Sequence, residues 1–248
     1  HDVDWIDPAN NPPVPAYLPP LPKTQWDGPA NYFKLQLHPD GLFIGSGGYS
    51  ARWQAGKWKA WPAHSGVPQL LLINGATHIA ERGASIRRVV GDELQPVVDG
   101  DAVRDDAIVA ARTAKDGSWL LLNSAGRHLR AAPGGDAEYL PVAPLADLSL
   151  SVYPAAAFLP NHTILVGTRA EGLNLFDAEG HFRTRLDHTA GLPTNLITSI
   201  ARTPAGETWF TTLGAAYRLE FGPEVTRFVA AEAKKWSTAV KASGASAD

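Results

Sequence analysis

The chain contains no cysteine among its 248 residues. Disulfide bridges, thiolate zinc sites, iron–sulfur clusters and cysteine nucleophiles are therefore excluded. A basic excess is also missing, because 22 lysines and arginines stand against 25 aspartates and glutamates, for a net charge of −3. Proteins that bind nucleic acid or an anionic membrane surface usually carry such an excess, so we expect neither partner.

Long apolar runs and methionine are missing as well. Runs such as Leu70 to Ile73 are far shorter than the roughly 18 residues of a membrane-spanning helix, so we expect no membrane segment in this chain. The chain has no methionine and begins at His1. We therefore expect either a processed mature chain or a segment of a longer gene product, and an exported protein is consistent with both absences.

Three regions differ in composition. Residues 1–30 contain eight prolines, at positions 8, 12, 13, 15, 19, 20, 22 and 29, which predicts an extended N-terminal arm because proline lacks the amide donor that a helix or central strand needs. Residues 31–228 contain short apolar segments separated by glycine turns. Residues 229–248 begin with an alanine- and lysine-rich stretch and end in SGASAD, which predicts a helical tail and a frayed C-terminus.

Five segments of the central region repeat one pattern of strand, tight polar turn, strand, glycine-bearing loop and strand. They are LQLHPDGLFIGSGGYSARW from Leu35, LLLINGATHIAERGASIRRV from Leu70, IVAARTAKDGSWLLLNSAGRHLRA from Ile108, AAAFLPNHTILVGTRAEGLNLFD from Ala155 and ITSIARTPAGETWFTTLGAAYRLEF from Ile197. A period of about 40 residues with four strands is typical of a propeller blade. The pattern predicts an all-β propeller of about five four-stranded blades, and an up-and-down barrel is the second interpretation.

The fifth repeat resembles a known family. Residues 191–221 are similar to the two-component regulator propeller repeat through Gly191, Leu192, Pro193, Asn195, Ile200, Gly206, Trp209, Thr212, Gly214, Tyr217 and Arg218. The fourth repeat is similar through Val166-Gly167-Thr168 and the first through Asp40-Gly41. Trp209-Phe210-Thr211 also gives a weaker similarity to streptogramin-lyase-like propellers. The regulator family usually builds seven blades, so five repeats are either a smaller wheel or part of a seven-bladed one.

The resemblance implies a function. Repeats of this family usually belong to the extracytoplasmic sensor portions of bacterial signalling proteins and are taken to recognise extracellular ligands, often glycans. We therefore expect a non-catalytic sensor propeller, periplasmic or extracellular, that binds a glycan or another small anionic ligand and feeds a signalling domain on the same gene product. The alternatives are a propeller enzyme of the lyase or glycoside hydrolase type and a platform for protein–protein interaction.

The ligand site is expected where the loops after each second strand meet the linkers between blades. Arg82 and Arg169 share one repeat position in two blades, and guanidinium groups suit carboxylate, sulfate or phosphate. The other candidate ligand-binding residues at this end are Tyr49, Arg127, His64 and His188. Paired surface arginines are the plainer interpretation of Arg82 and Arg169, since surface charge usually serves solvation.

Metal, cofactor and catalytic residues are not indicated. The eight histidines show no metal-site spacing, and Asp99 to Asp106 begins a calcium-loop pattern but is more typical of a solvated turn. The carboxylates Asp40, Asp116 and Glu207 all occupy tight turns. We expect no cofactor and no metal, and whether the chain is an enzyme is left open, with the balance against it.

Trp119 and Trp209 are expected in the core between blades.

Overall fold

The computed structural model describes residues 33–142, 144–145, 155–159, 163–202, 207–212 and 215–221, and the backbone of three further strands. Two of these strands, β1 (Asp4–Ile6) and β2 (Pro15–Tyr17), pair with each other in the proline-rich arm. The third is the last strand of the fold. The expected helical tail lies outside the described residues apart from its first two positions, which end that strand.

Twenty strands form five four-stranded antiparallel sheets. Blade 1 contains β3 (Phe33–His38), β4 (Gly41–Ser46), β5 (Tyr49–Gln54) and β6 (Lys57–Pro62). Blade 2 contains β7 (Gln69–Ile73), β8 (Ala76–Ala80), β9 (Ile86–Val90) and β10 (Glu93–Val98). Blade 3 contains β11 (Ile108–Thr113), β12 (Trp119–Asn123), β13 (His128–Ala131) and β14 (Ala137–Tyr139).

Blade 4 contains β15 (Ala155–Phe158), β16 (Ile164–Gly167), β17 (Leu173–Phe176) and β18 (Phe182–Leu186). Blade 5 contains β19 (Ile197–Arg202), β20 (Thr208–Thr212), β21 (Ala215–Phe221) and β22 (Thr226–Ala230). Every blade is a meander of four consecutive strands, and the first strands of neighbouring blades contact one another around the centre. The five sheets stand in a ring. The chain is a five-bladed β-propeller, as the repeats predict.

In the described part of the chain, two short helices lie in the linkers between blades. Helix α1 (Asp101–Arg104) joins blades 2 and 3 and buries Ala102 and Val103. A 3₁₀ turn (His188–Ala190) joins blades 4 and 5, where the Asp187 side chain accepts from Thr189 N. No helix among the described residues is long and apolar enough to span a membrane.

The core lies between neighbouring blades. Leu165, Leu173 and Leu175 of blade 4 pack with Ile200 and Phe210 of blade 5, and a similar cluster around Trp119 joins blades 2 and 3. Close approach is needed at the blade 4–5 interface. A Cβ added to Gly167 would lie 2.4 Å from Ile197 Cγ2, so only glycine fits there.

The prediction for the two tryptophans is correct for one of them. Trp119 is buried in the core, but Trp209 is only partly buried and its indole Nε1 donates to Glu207 Oε2 at 3.2 Å. Successive strand residues point to opposite faces, and it is Phe210 that packs against blade 4. The prediction is therefore off by one residue on β20.

Candidate functional site

The loops between second and third strands lie at the same end of the propeller as the linkers between blades. We call this the loop-and-linker end. Backbone hydrogen bonds join each loop to a linker in the first four blades: Gly48 N to Gly66 O at 3.2 Å, Gly83 N to Arg104 O at 2.8 Å, Ser124 N to Ala107 O at 2.8 Å and Gly172 N to Asn195 O at 3.0 Å. The predicted site residues on these segments therefore share one end of the molecule.

A buried polar side chain stands at the end of every second strand. These residues are Ser46, Glu81, Asn123, Thr168 and Thr212. Asn123 Oδ1 accepts from Ala125 N and Arg127 N at 3.1 and 2.8 Å, and Thr168 Oγ1 accepts from Glu171 N at 2.8 Å. This set was not predicted, although a polar residue shortly before each recurring loop glycine is a visible signal in the sequence.

Glu81 fastens the first linker to the loop of blade 2. Its carboxylate is 2% exposed, forms an ion pair with Arg87 and accepts from the backbone amide of His64. Burial lowers the pKa of the Arg87 guanidinium, and the adjacent carboxylate supplies the charge that a buried cation requires. The ion pair therefore has a structural role. It fixes the position of His64, whose amide donates to Glu81, and of Arg82, which follows Glu81 in the chain.

Arg82 lies between two linkers on the surface. Its Nε donates to Asp105 O at 3.0 Å, while Ser65 Oγ donates to Arg82 O at 2.7 Å. The His64 ring lies beside the same loop, since a Cβ added to Gly83 would be 3.9 Å from His64 Cδ2. The structure thus brings two predicted site residues, Arg82 and His64, to one loop.

Arg127 occupies the equivalent loop of blade 3. Its guanidinium carbon lies 3.5 Å from the centroid of the Tyr139 ring, and Tyr139 Oη reaches Ala102 O of α1 at 3.5 Å. Burial raises the pKa of Tyr139, and the Arg127 charge opposes that rise while Asp105 and Asp106 add to it. Arg127 is therefore an exposed arginine whose guanidinium rests on an aromatic ring, with acidic residues close by.

Arg169 and His188 lie at the loop-and-linker end of blade 4. Arg169 is exposed and directly follows the buried Thr168. His188 is exposed too, and its backbone amide donates to Asn195 Oδ1 at 2.8 Å while Asn195 Nδ2 donates to Ala170 O at 3.0 Å. Asn195 therefore holds the linker against the loop that carries Arg169.

Tyr49 differs from the other predicted site residues. It is 6% exposed, and burial raises its pKa. Its ring lies within blade 1, where β5 begins. Of the six predicted residues, five are exposed at the loop-and-linker end and Tyr49 is buried behind it.

The acidic side chains of residues 99–106 are solvent-accessible, as expected, but the segment contains a short helix and is not a simple turn. Residues 101–104 form α1, and both carboxylate oxygens of Asp99 accept from Arg104, at 2.8 and 2.7 Å. A second acidic group lies in the turn after β17, where Asp177, Glu179 and His181 place ligand atoms within 4.8 Å of one another. Asp177 already pairs with Arg183 at 2.6 Å and accepts from two turn amides.

The tryptophans of blade 1 differ in how far they are buried. Trp61 is buried against blade 2 and its Nε1 donates to Asp92 O at 3.0 Å. Trp53 and Trp58 are partly exposed, with ring centroids 5.3 Å apart. Packing between blades therefore accounts for Trp61.

Comparison with known proteins places the fold. No protein-family model matches the chain, and no curated protein matches it. Among solved structures, the chain is similar to the extracellular domain of the putative hybrid two component system BT3049 from B. thetaiotaomicron, with 12% identity and a TM-score of 0.54. That match covers 81% of this chain and 28% of the other.

Two enzymes have similar structures. A catalytically inactive virginiamycin B lyase from Staphylococcus aureus matches with 13% identity and a TM-score of 0.58, over 92% of this chain and 77% of the lyase. A gluconolactonase from Xanthomonas campestris matches with 13% identity and a TM-score of 0.50, over 76% and 71%. At such identities the likeness establishes the propeller fold, which sensors and enzymes share.

Proposed function

We propose that this propeller is the ligand-binding part of a bacterial extracytoplasmic sensor and recognises a small anionic ligand, such as a uronate-bearing glycan, at its loop-and-linker end. Three arginines support the proposal. Arg82, Arg127 and Arg169 come from the same loop of blades 2, 3 and 4. Successive blades of a ring present equivalent loops side by side, so the three guanidinium groups line one arc of the same end.

The surroundings of Arg127 are the observation that best supports the proposal. Its guanidinium rests against the Tyr139 ring, with the guanidinium carbon 3.5 Å from the ring centroid, and among the described residues no acceptor takes a hydrogen bond from its N–H groups. A guanidinium presents its donors as a fork that matches a carboxylate with two parallel hydrogen bonds. Fixing that fork before binding reduces the entropy lost when a ligand arrives.

The nearby aspartates favour selective over indiscriminate anion binding. Asp105 and Asp106 act electrostatically on Tyr139, which lies under Arg127, and Arg82 donates to the Asp105 carbonyl. Negative charge beside the arginines weakens the general attraction for anions. Only a ligand whose carboxylate reaches the forks, and whose remaining surface fits the loops, gains enough to bind.

The test is binding of uronic-acid oligosaccharides and their neutral counterparts, measured by calorimetry. Arg127→Gln combined with Arg82→Gln should weaken uronate binding by about 10- to 100-fold, the usual worth of hydrogen bonds to charged groups. Arg130→Gln is the matched control, because Arg130 is an exposed arginine of the same blade that pairs with Asp116 in the turn between β11 and β12. Equal binding by the double variant and the control would reject the arginine site. Release of products from the bound oligosaccharide would favour the enzyme alternative.

A further inference from the structure

A lysine lies between the innermost strands of blades 1 and 2. Lys34 is on β3, and its Nζ donates to the side-chain oxygen of Gln69, the first residue of β7. Gln69 is 2% exposed, and its Nε2 donates to Val67 O at 3.1 Å. Because the amide nitrogen is fixed by Val67, the amide oxygen must face the lysine. Gln69 is thus a positioning residue for the amine.

The charge of Lys34 has no counter-ion in the described part of the chain. No carboxylate there lies within ion-pair distance of its Nζ, and the partner that is present, Gln69, is neutral. Burial lowers the pKa of Lys34 to about 8, so the amine is mostly protonated at neutral pH. Desolvated cations in proteins are normally paired with an anion. An ammonium has three donors and Gln69 accepts from one, so two remain for a ligand.

Lys34 lies near the loop-and-linker end. Lys34 pairs with Gly45, next to the loop of blade 1, and the first linker passes over this point because a Cβ on Gly45 would lie 2.8 Å from Pro68 O. β3 and β7 are the first strands of their blades, which line the central channel. Lys34 as a whole is only partly buried, so part of its surface is open to solvent.

We propose that Lys34, positioned by Gln69, binds one oxyanion group of a small ligand at the loop-and-linker mouth of the central channel. The ammonium donates hydrogen bonds to a carboxylate, phosphate or sulfate oxygen and gains the counter-ion that the described residues do not provide. The inference does not depend on the loop arginines, since it concerns a different strand and a different blade. A ligand that spans both would place one acidic group in the channel and another over the loops.

The test uses the full chain with glucuronate, inorganic phosphate and sulfate as separate probes. Lys34→Met removes the charge and keeps the aliphatic stem, and it should weaken binding of the preferred probe by about 10- to 100-fold. Lys57→Met is the control, because Lys57 is an exposed lysine of the same blade on its outermost strand. Preference among the three probes identifies the oxyanion. Equal affinities for Lys34→Met and Lys57→Met, or no binding of any probe, would overturn the proposal.

A second measurement does not depend on how well the variant folds. In the unaltered protein, the ε-methylene resonances of Lys34 report ionisation of its amine. A bound anion stabilises the ammonium, so saturating the preferred probe should raise the pKa of Lys34 above its value of about 8. An unchanged pKa would reject the site. Arg127→Gln can abolish oligosaccharide binding while the Lys34 resonances still respond to the probe. That result would show that the Lys34 site is independent of the loop arginine site.

Discussion

The interface between blades 1 and 2 and the interface between blades 4 and 5 are built from different chemistry. Blades 4 and 5 are joined by a cluster of twelve buried apolar residues, among them Leu165, Ile197 and Phe210. Among the side chains that the structure describes, the apolar cluster that joins blades 1 and 2 contains five, including Phe43 and Trp61. The smaller cluster is supplemented by side-chain hydrogen bonds and an ion pair across the interface.

The polar contacts between blades 1 and 2 lie at several positions along the interface. Arg52 donates to Gly91 O at 2.9 Å and to Asp92 Oδ1 at 2.7 Å. His38 Nδ1 contacts Thr77 Oγ1 at 2.8 Å, and the pair of Lys34 and Gln69 lies at the loop-and-linker end. An interface of this kind depends on protonation and on satisfied donors, whereas an apolar interface depends on packed volume. The two interfaces should therefore respond to different perturbations.

The largest effect is expected from a cavity in the apolar interface. Phe210 is 1% exposed and its ring stacks on Tyr217 with centroids 5.0 Å apart. Phe210→Ala should lower the free energy of unfolding by about 3–5 kcal/mol, the range for large aromatic truncations in cores. Urea denaturation measures the loss. Phe182→Ala is the control, because Phe182 is 52% exposed. Similar losses for the two variants would contradict the assignment of Phe210 to the core.

Acidification should weaken the polar interface next. Burial lowers the pKa of His38 from 6.5 to about 4, with Asp40 opposing and His78 assisting the shift. Because the folded state holds the neutral imidazole, its stabilisation is complete above pH 6.5 and is lost as the pH falls towards about 4. One pKa unit corresponds to about 1.4 kcal/mol, so this histidine accounts for up to about 3 kcal/mol.

The variant that isolates this contribution is His38→Gln. Glutamine keeps hydrogen-bonding capacity towards Thr77 and Gln36, the two partners of the His38 ring, but does not ionise. Urea denaturation over the same pH range should give a flatter decline for the variant than for the unaltered chain. His78 contributes a parallel decline, because burial lowers its pKa to about 4 as well. A decline of unchanged steepness in His38→Gln would show that His38 is not the responsible group.

The repeat architecture could be predicted from the sequence because each repeat carries the same local signals. Tight loops between strands often need a residue with positive φ, and the glycines at 48, 83, 126 and 172 that mark the repeats all have φ between 74° and 91°. The polar linkers were correctly expected at the end where those loops lie. Both signals are local in the chain, so a single sequence carries them.

Contacts between blades could not be predicted in the same way. Lys34 and Gln69 are 35 residues apart, and nothing local to either shows that they meet. Choosing between Trp209 and Phe210 requires the register of β20, because a shift of one residue reverses every side chain. Arg127 was predicted as a site residue, but its contact with Tyr139 depends on the outer strand of blade 3. Residue types and loops were therefore predictable, whereas side-chain partners were not.

The smallest effect is expected from the exposed partner of the polar interface. The Asp92 side chain is 69% exposed while that of Arg52 is 8% exposed. Asp92→Asn should cost only up to about 1 kcal/mol, because water already solvates that carboxylate and Arg52 keeps its hydrogen bond to Gly91 O. Arg52→Met should cost about 1–3 kcal/mol, because it leaves the Gly91 carbonyl without its donor. Urea denaturation of the two variants ranks them. Equal losses would mean that the ion pair, and not the hydrogen bond to the backbone, holds blades 1 and 2 together.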